Sequence, residues 1–183
     1  RLGFVADVYM CIGEIQRTWS YLEPLFIGSE EVKKELPETA ERFAGIDARV
    51  KTYLKNQWST KNIIKACNTD GLFAELEAIS EQLDVCKKSL ADFLDGRKRQ
   101  FPRFYFTSEA DLLDILSNGS QPEKIMVHVP KIYLATKNFN LEPGPGGRPK
   151  AVKWISGVGS EDVEFEPAVE LQGKCEIYLQ TVL

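Results

Sequence analysis

The sequence has little of what catalytic and metal-binding sites are made from. Its 183 residues include one histidine, His128, which stands between Val127 and Val129, and four cysteines that form no CxxC pair. A structural zinc site needs closely spaced Cys and His ligands, so none is expected. We interpret His128 as a packed or partly exposed residue. The carboxylates lie at predicted solvent-facing helix positions, and the sequence predicts no catalytic, cofactor-binding or metal-binding residue.

The glycine-rich stretches lack the residues that bind phosphate. Gly144–Gly147 is not followed by the Lys-Ser/Thr of a phosphate-binding loop, and Gly157-Val158-Gly159 has no third glycine before an apolar helix. We interpret both stretches as turns. The sequence therefore predicts no nucleotide site of its own.

The chain also lacks long apolar runs and an excess of positive charge. No run approaches the roughly 20 residues that span a bilayer, and the net charge of -4 argues against nucleic acid or an anionic membrane as partner. Four widely spaced cysteines indicate reduced, buried thiols of a cytosolic protein rather than a disulfide framework. No signal peptide is visible, and the chain begins without Met and stops in an apolar pattern at Tyr178–Leu183, which predicts a piece of a longer protein.

Apolar residues recur at alternating spacings of three and four along three segments, which is the pattern of long amphipathic helices. The clearest seam comprises Leu72, Leu76, Ile79, Leu83, Cys86, Leu90 and Phe93. We predict long helices over residues 2–27, from Pro37 to about Trp58, and from Leu72 to the basic residues after Asp95. Short helices are predicted at 30–36 and 62–67. None buries its apolar face alone, so we expect an elongated helical bundle over residues 1–136.

From Lys137 the apolar period changes to two, which is typical of strands. We predict strands at 137–141, 151–155 and 162–166, with Pro167 ending the third strand. A closing helix is predicted to carry Val169, Cys175, Ile177, Leu179 and Val182. The predicted fold class is therefore mainly α, with a small antiparallel β-meander and a closing helix in a second region, residues 137–183.

A structural joint is predicted between the third long helix and the next helix. It comprises Phe101, Pro102, Phe104, Tyr105, Phe106 and Ser108. Proline cannot continue a helix and biases the preceding residue toward an extended backbone. The four aromatic rings provide more apolar area than a loop needs, so we expect them to be buried. Ser108 is predicted to be the N-cap of the next helix, with Asp111 as its capping-box carboxylate.

Four basic residues adjoin the joint: Arg97, Lys98, Arg99 and Arg103. Three interpretations are open. Cations at the carboxyl end of a helix complement its dipole, cations interleaved with aromatic rings can form a nucleic-acid stacking platform, and a basic cluster can dock on an acidic neighbour. The acidic chain and the aromatic spacing around a proline favour the first interpretation over the second.

Several segments, taken in order, resemble motifs of the linker of dynein heavy chains. They are Trp19–Phe26, Ser29–Glu31 followed by Leu36-Pro37, Arg42–Asp47, Cys86–Leu90, Lys98–Phe106, Asp111–Ser117, Val158–Phe165 and Gly173–Glu176. The resemblance covers nearly the whole chain, and axonemal, outer-arm-like heavy chains are the most similar group. It departs from the family pattern at Lys137–Ala151, where Pro and Gly are inserted between strands.

The resemblance implies a mechanical lever, the carboxyl-terminal part of a linker that arches over a ring of six AAA+ modules. It implies contact of the four basic residues with that ring, other dynein chains as partners, and binding to microtubules only through the parent protein. ATP and Mg²⁺ would be bound in the ring and not by this chain. The location implied is cytoplasmic or cytoskeletal, in a ciliary or flagellar axoneme.

The competing interpretation is a passive helical-bundle scaffold that binds a partner protein, because heptad seams alone do not exclude it. A lever must also bend, and backbone rotation concentrates at breaks between rigid elements. The candidate breaks are Gly28–Pro37, Trp58–Gly71 and Phe101–Ser108. We expect the aromatic joint to be a stiff corner and flexion to occur at the other two breaks.

Overall fold

The computed structural model describes residues 2–159 and 161–183. Its helices are α1 (Leu2–Phe26), α2 (Glu30–Glu35), α3 (Pro37–Thr60), α4 (Ile63–Cys67), α5 (Leu72–Gln100), α6 (Glu109–Ser117), α7 (Pro122–Ile125), α8 (Val129–Ile132) and α9 (Cys175–Thr181). Its strands are β1 (Thr136–Pro143), β2 (Pro149–Ser156) and β3 (Asp162–Glu170). Short 3-10 segments lie at Pro102–Phe106, Met126–His128 and Pro145–Gly147. The predicted class, mainly α with a small antiparallel sheet near the carboxyl end, is confirmed.

The chain divides into two compact units, one up to Ala91 and the other from Asp92 onward. Helix α5 contributes residues to both units. The change from helices to strands lies at Thr136, where β1 begins. The predicted domain organisation, 1–136 and 137–183, stays a prediction.

The core of the first unit is formed by the apolar faces of the long helices. Its buried side chains include Val8, Ile15, Leu22, Phe26, Phe43, Ile46, Val50, Leu76, Ile79, Leu83 and Cys86. The rings of Phe26 and Phe43 stack with centroids 5.3 Å apart. Trp19 Nε1 donates to Asp47 Oδ1 at 2.9 Å, which ties α1 to α3 by a polar contact as well. The predicted packing of the three long helices is confirmed within this unit.

The helix boundaries in the first unit follow the local sequence rules. Ser29 Oγ accepts from Val32 N and caps α2, and Asn62 Oδ1 accepts from Lys65 N at 3.0 Å and caps α4. Pro37 lies in the first turn of α3, where its missing N–H removes no helical hydrogen bond. The predicted breaks at Gly28–Pro37 and after Trp58 are therefore present.

In the second unit the three strands form an antiparallel sheet in the order β1-β2-β3. The prediction that Pro167 ends the third strand is wrong, because β3 continues to Glu170. Ala151 pairs with Val169 and Lys153 pairs with Glu164, so residues 165–168 lie opposite residue 152 alone. Pro167 is in this bulge on an edge strand, where no ladder hydrogen bond is required of it.

The closing helix is shorter than predicted. Val169 belongs to β3, and α9 begins only at Cys175, after a turn in which Gly173 has a φ of 83°. Before the sheet, the helical stretch that contains Pro130 is divided into α7, a 3-10 turn and α8. The ring of Pro130 is accommodated in the first turn of α8, where a proline is tolerated.

The four cysteines are free thiols. Their predicted burial is confirmed for Cys67, Cys86 and Cys175 and is wrong for Cys11, which is partly exposed. Burial raises the pKa of each of these thiols. Among the residues described, no helix is both long enough and apolar enough to cross a bilayer.

Candidate functional site

The candidate site is the joint that follows α5. The last turn of α5 carries three basic residues, and Phe101 N still donates to Arg97 O at 3.1 Å. Phe101 then takes an extended backbone (φ -131°, ψ 92°), as expected for a residue before proline. Residues Pro102–Phe106 form a 3-10 turn that ends with Thr107 N donating to Phe104 O at 3.2 Å. The predicted break at Pro102 is confirmed.

The predicted burial of the aromatic rings is confirmed for two of the four. Phe101 and Phe104 are fully buried, and their rings meet edge to face with centroids 4.9 Å apart. The prediction is wrong for Tyr105 and Phe106, which are 55% and 76% exposed. A 3-10 turn has three residues per turn, so residues 101 and 104 share the inner face while 105 and 106 point elsewhere.

The second half of the joint is capped as predicted. Ser108 Oγ accepts from Asp111 N at 3.2 Å and donates to Asp111 Oδ2 at 2.8 Å. The Ser108 hydroxyl therefore caps the first turn of α6, and it also holds the Asp111 carboxylate beside it. Leu112, Leu113, Ile115 and Leu116 form the buried face of this helix.

The four basic residues do not form one exposed cluster. Arg97 is only 8% exposed, and its Nη1 donates to Glu176 Oε1 at 2.9 Å. Its guanidinium also lies 5.1 Å from the centroid of the Phe93 ring. Arg97 was predicted to contact a partner, and its burial leaves it poorly placed for such a contact.

The other three cations have separate local contacts. Arg99 pairs with Asp95 at 2.7 Å, and it remains largely exposed. Lys98 Nζ lies 5.9 Å from the ring centroid of Tyr105, and Arg103 lies 5.2 Å from that of Tyr133. Phe101 and Phe104 are in the core, so two of the four rings near these cations are not accessible for stacking on nucleic-acid bases, whereas Tyr105 and Phe106 are exposed.

Helix α9 is attached to the joint region by three polar contacts. The first is the Arg97–Glu176 ion pair. In the second, Tyr133 Oη donates to Leu179 O at 2.6 Å, and in the third, Tyr178 Oη donates to Gly119 O at 3.2 Å. Burial raises the pKa of both phenols, so both remain neutral donors at physiological pH. We call these three contacts the α9 anchor.

The carboxylate of the α9 anchor is held in a nearly dry environment. Glu176 is 7% exposed, and its Oε2 lies 3.5 Å from Cys175 Sγ. Burial, followed by the charge of Glu176, raises the pKa of the Cys175 thiol. A protonated thiol can donate a weak hydrogen bond to a carboxylate, and Cys175 is placed to donate one to Glu176. A buried thiol with a raised pKa is also a poor nucleophile.

A row of aromatic rings connects the joint to the sheet. Tyr133 lies between Phe101, at 6.5 Å, and Phe139 of β1, at 5.6 Å between ring centroids. Phe139 in turn meets Phe165 of β3 at 6.0 Å. Aromatic contacts of this kind contribute about 0.5–1.5 kcal/mol each beyond their buried area. The joint and the sheet therefore share one core.

His128 is buried against carboxylates of α6, consistent with its interpretation as a packed residue. Its Nε2 lies 2.7 Å from Asp114 Oδ2, and its Nδ1 lies 3.5 Å from Asp111 Oδ1. Lys131 Nζ bonds to Asp111 at 2.8 Å, and this bond is the main cause of the lowered pKa of the Asp111 carboxyl. Among residues 2–159 and 161–183, no group of three or more His, Cys, Asp and Glu side chains could hold a metal ion.

The sequence prediction missed Glu176, Tyr133 and Tyr178 as residues of this site. The Arg97–Glu176 contact spans 79 residues, and no periodic signal connects positions so far apart. The sequence holds one weak indication that Glu176 is buried: it is a single carboxylate among Cys175, Tyr178 and Leu179, whose side chains are also buried. The arrangement is mechanical, since it fastens one helix to another through buried polar contacts.

Comparison with known protein families shows to which family the chain belongs. The family described as dynein heavy chain, N-terminal region 2, matches residues 1–183. The chain belongs to the dynein heavy-chain family. The predicted resemblance to dynein heavy chains is thereby confirmed.

The most similar relatives include heavy chains of cilia and flagella. The chain is 49% identical over 186 residues to the dynein alpha chain of the flagellar outer arm of Chlamydomonas reinhardtii. This match covers 100% of this chain and 4% of the relative. The chain is 39% identical to dynein axonemal heavy chain 17 of Mus musculus and 41% identical to the ciliary dynein beta chain of Heliocidaris crassispina. Each of these two matches covers 93% of this chain and 4% of the relative. The chain thus spans about 4% of the length of these relatives.

Proposed function

We propose that this chain is the carboxyl-terminal part of the linker of an axonemal dynein heavy chain, and that it acts as a lever. The lever transmits the ATP-driven conformational change of the AAA+ ring into movement along microtubules. The proposal is supported by the family membership and by the ciliary and flagellar outer-arm relatives. The location that follows is a ciliary or flagellar axoneme.

The observation that carries the proposal is the α9 anchor. A lever must pass force from one end of the chain to a long rigid element without slipping. Glu176 of α9 bonds directly to Arg97 in the last turn of α5, a helix of 29 residues. The contact is buried, so water does not compete for it, and its loss would leave a charge in a nearly dry site. Force that arrives at α9 therefore reaches α5 through a short, strong path.

The chemistry of the parent protein is proposed to lie outside this chain. ATP and Mg²⁺ would be bound by the AAA+ ring, and this chain would neither bind nor hydrolyse nucleotide. The proposed partners are the ring of the same heavy chain and other dynein chains, with microtubules contacted only through the parent.

Contact between the basic residues and the ring remains part of the proposal, with a smaller set. Arg99 is exposed apart from its contact with Asp95, and Lys98 and Arg103 are partly exposed. These three are proposed as ring contacts, whereas Arg97 is assigned to the α9 anchor. Flexion is proposed for the breaks at Gly28–Pro37 and Trp58–Gly71 rather than for the buried joint.

The test separates a lever from a passive scaffold. A donor dye is placed at position 87, where Lys87 is exposed on α5, and an acceptor is placed on the AAA+ ring of the full-length heavy chain. A lever predicts that energy transfer changes between the ATP-bound and nucleotide-free states. Equal transfer in all nucleotide states, in a heavy chain that still hydrolyses ATP, would support the scaffold and refute the lever.

A further inference from the structure

The corner between α3 and α4 exposes the most accessible tryptophan side chain of the described residues. Trp58 lies in the last turn of α3 and is 84% exposed. Tryptophan is costly to leave in water and is enriched among the residues that dominate the energy of protein interfaces. An exposed tryptophan beside other exposed apolar side chains therefore marks a binding surface.

Two isoleucines on the other side of the turn are also exposed. Ile63 and Ile64, in the first turn of α4, are each about half exposed, at 52% and 53%. Ala66 and Cys67, in the second turn, are buried and hold the helix on the core. The turn itself is well defined, because Lys61 takes the left-handed conformation (φ 51°) and Asn62 caps α4. The exposed apolar residues of α3 and α4 thus lie on either side of a short turn with defined backbone geometry.

The chain segment that forms the corner carries charge of one sign, and the nearest carboxylates in sequence are Asp47 and Asp70 on its two sides. The stretch from Ala48 to Thr69 contains no Asp or Glu, although the chain as a whole has a net charge of -4. Two of its cations are paired, since Arg49 lies 3.4 Å from Glu75 and Lys51 lies 2.9 Å from Asp47. Three other cations of this stretch are exposed, and no carboxylate of the described residues lies within ion-pair distance of them: Lys55, Lys61 and Lys65.

A polar cleft adjoins the corner. Its volume is about 450 Å³, and its lining includes the polar residues Thr52, Asn56, Gln57, Thr60 and Thr69, the cation Lys65 and the ion pair Arg49–Glu75. Hydroxyl and amide groups of this kind bind backbone groups of a partner loop and its carboxylates. The corner therefore combines exposed apolar side chains, exposed lysines and a polar cleft. Protein interfaces have a similar combination of an apolar core and a polar rim.

We infer that the corner Trp58–Lys65 binds an acidic protein surface that contains an apolar pocket. Trp58 enters the pocket, Ile63 and Ile64 cover its edge, and the three lysines pair with carboxylates of the partner. Charge complementarity of this type steers association and fixes the partner's orientation. The inference rests on the corner alone and does not require that the chain acts as a lever.

An anionic membrane is the other surface that would attract tryptophan and lysine. The structure favours protein, because membrane-surface helices need an apolar face along their whole length. Helix α4 has five residues, two of which are turned into the core. A polar cleft beside the corner also has no role against lipid.

The experiment places a photo-crosslinking amino acid at position 58 of the full-length heavy chain in assembled dynein. The matched control carries it at position 9 of α1, where Tyr9 is 64% exposed beside Asp7. Position 58 is expected to crosslink, above the control, to a peptide whose neighbourhood in the partner is rich in Asp and Glu. Yields no higher than at position 9, or a crosslinked peptide without acidic neighbours, overturn the inference.

A charge variant completes the test. Replacing Lys55, Lys61 and Lys65 by Gln is expected to reduce the crosslink yield at position 58 by about tenfold, as for loss of a few interface ion pairs. The control double variant Lys87→Gln/Lys88→Gln on α5 should leave the yield unchanged. Equal yields in the two variants refute the role of charge. Binding of dynein through position 58 to vesicles of phosphatidylserine and phosphatidylcholine would identify a membrane surface instead and refute the inference.

Discussion

Arg97 Nη1 donates a hydrogen bond to Glu176 Oε1 at 2.9 Å, and the two residues are 79 positions apart in sequence. Both residues are less than one-tenth exposed. A buried ion pair is weak evidence for extra stability, because both charges had to leave water. It nevertheless fixes which turn of α9 lies against the end of α5. The pair therefore specifies position more than it adds stability.

Removing one partner of this pair is expected to be costly. Arg97→Met leaves the Glu176 carboxylate buried without its cation, and we expect a loss of about 3–5 kcal/mol in the free energy of unfolding. The double variant Arg97→Met/Glu176→Leu replaces both charges by apolar groups and is expected to recover most of that loss. Urea unfolding of the 183-residue chain measures both, with Arg99→Met as the exposed control. A double variant as unstable as the single one would contradict this explanation.

The joint offers a matched pair of aromatic substitutions. Phe104→Ala empties a fully buried site and should cost about 3–5 kcal/mol. Phe106→Ala removes a ring that is 76% exposed and should change stability by no more than about 0.5 kcal/mol. Thermal or urea unfolding compares the two variants directly. Similar losses for both would show that the two rings are equally buried.

The contact between Lys131 and Asp111 should make part of the stability depend on pH. The folded-state pKa of Asp111 is lowered from its ordinary 3.8, first of all by the hydrogen bond from Lys131. A carboxyl with a lowered pKa stabilises the folded chain when the pH is above the ordinary pKa of that group. This stabilisation is lost as the pH falls through the pKa of the folded state. Lys131→Met should therefore destabilise the chain at neutral pH, and the difference from wild type should disappear as the pH falls through the lowered pKa of Asp111.

Unfolding of the wild type and of Lys131→Met is measured between neutral pH and the acid limit. Lys124→Met, which removes an exposed cation of α7, is the control and should behave as wild type throughout. A difference between Lys131→Met and wild type that stays constant with pH would show that packing, and not the carboxylate, is responsible.

The cysteines should react with a thiol reagent in an order set by burial. Burial raises the pKa of all four thiols, but Cys11 is partly exposed and the other three are buried. Because the reagent must reach a thiolate, Cys11 should be labelled first in the native chain and the others only on unfolding. Mass spectrometry after timed iodoacetamide treatment identifies the labelled residues, and Cys11→Ser should remove the early phase. Early labelling of Cys175 would mean that α9 opens readily.

Local sequence rules predicted the joint well where one residue determines the backbone. Pro102 ends α5 and Ser108 caps α6, and both effects come from the residue's own geometry or its nearest neighbours. The burial of Phe106 was predicted wrongly because aromatic content alone does not give the period of the turn. Once the turn is known to be 3-10, the spacing of Phe101 and Phe104 explains which rings are inside.

The rest of the site depends on contacts between distant residues. Nothing near Arg97 in sequence indicates that its partner is Glu176, because that pairing arises only when α9 packs against the other elements of the second unit. The extension of β3 past Pro167 has the same origin, since a bulge is defined by the partner strand β2. Sequence patterns predicted the elements, and the pairing of elements required the structure.

The proposed lever function requires that the α9 anchor transmits force. A variant that weakens the anchor but keeps the packing of its side chains examines this requirement alone. Tyr133→Phe/Tyr178→Phe removes the two phenol hydrogen bonds to Leu179 O and Gly119 O, at a cost of about 1 kcal/mol each. Tyr105→Phe, which removes an exposed bond to Asp95, is the control. The measurement is the ratio of microtubule gliding velocity to ATPase rate for the full-length heavy chain. Transmission of force through the α9 anchor predicts a lower ratio for the double variant and an unchanged ratio for the control. A wild-type ratio in the double variant would show that force does not pass through the anchor.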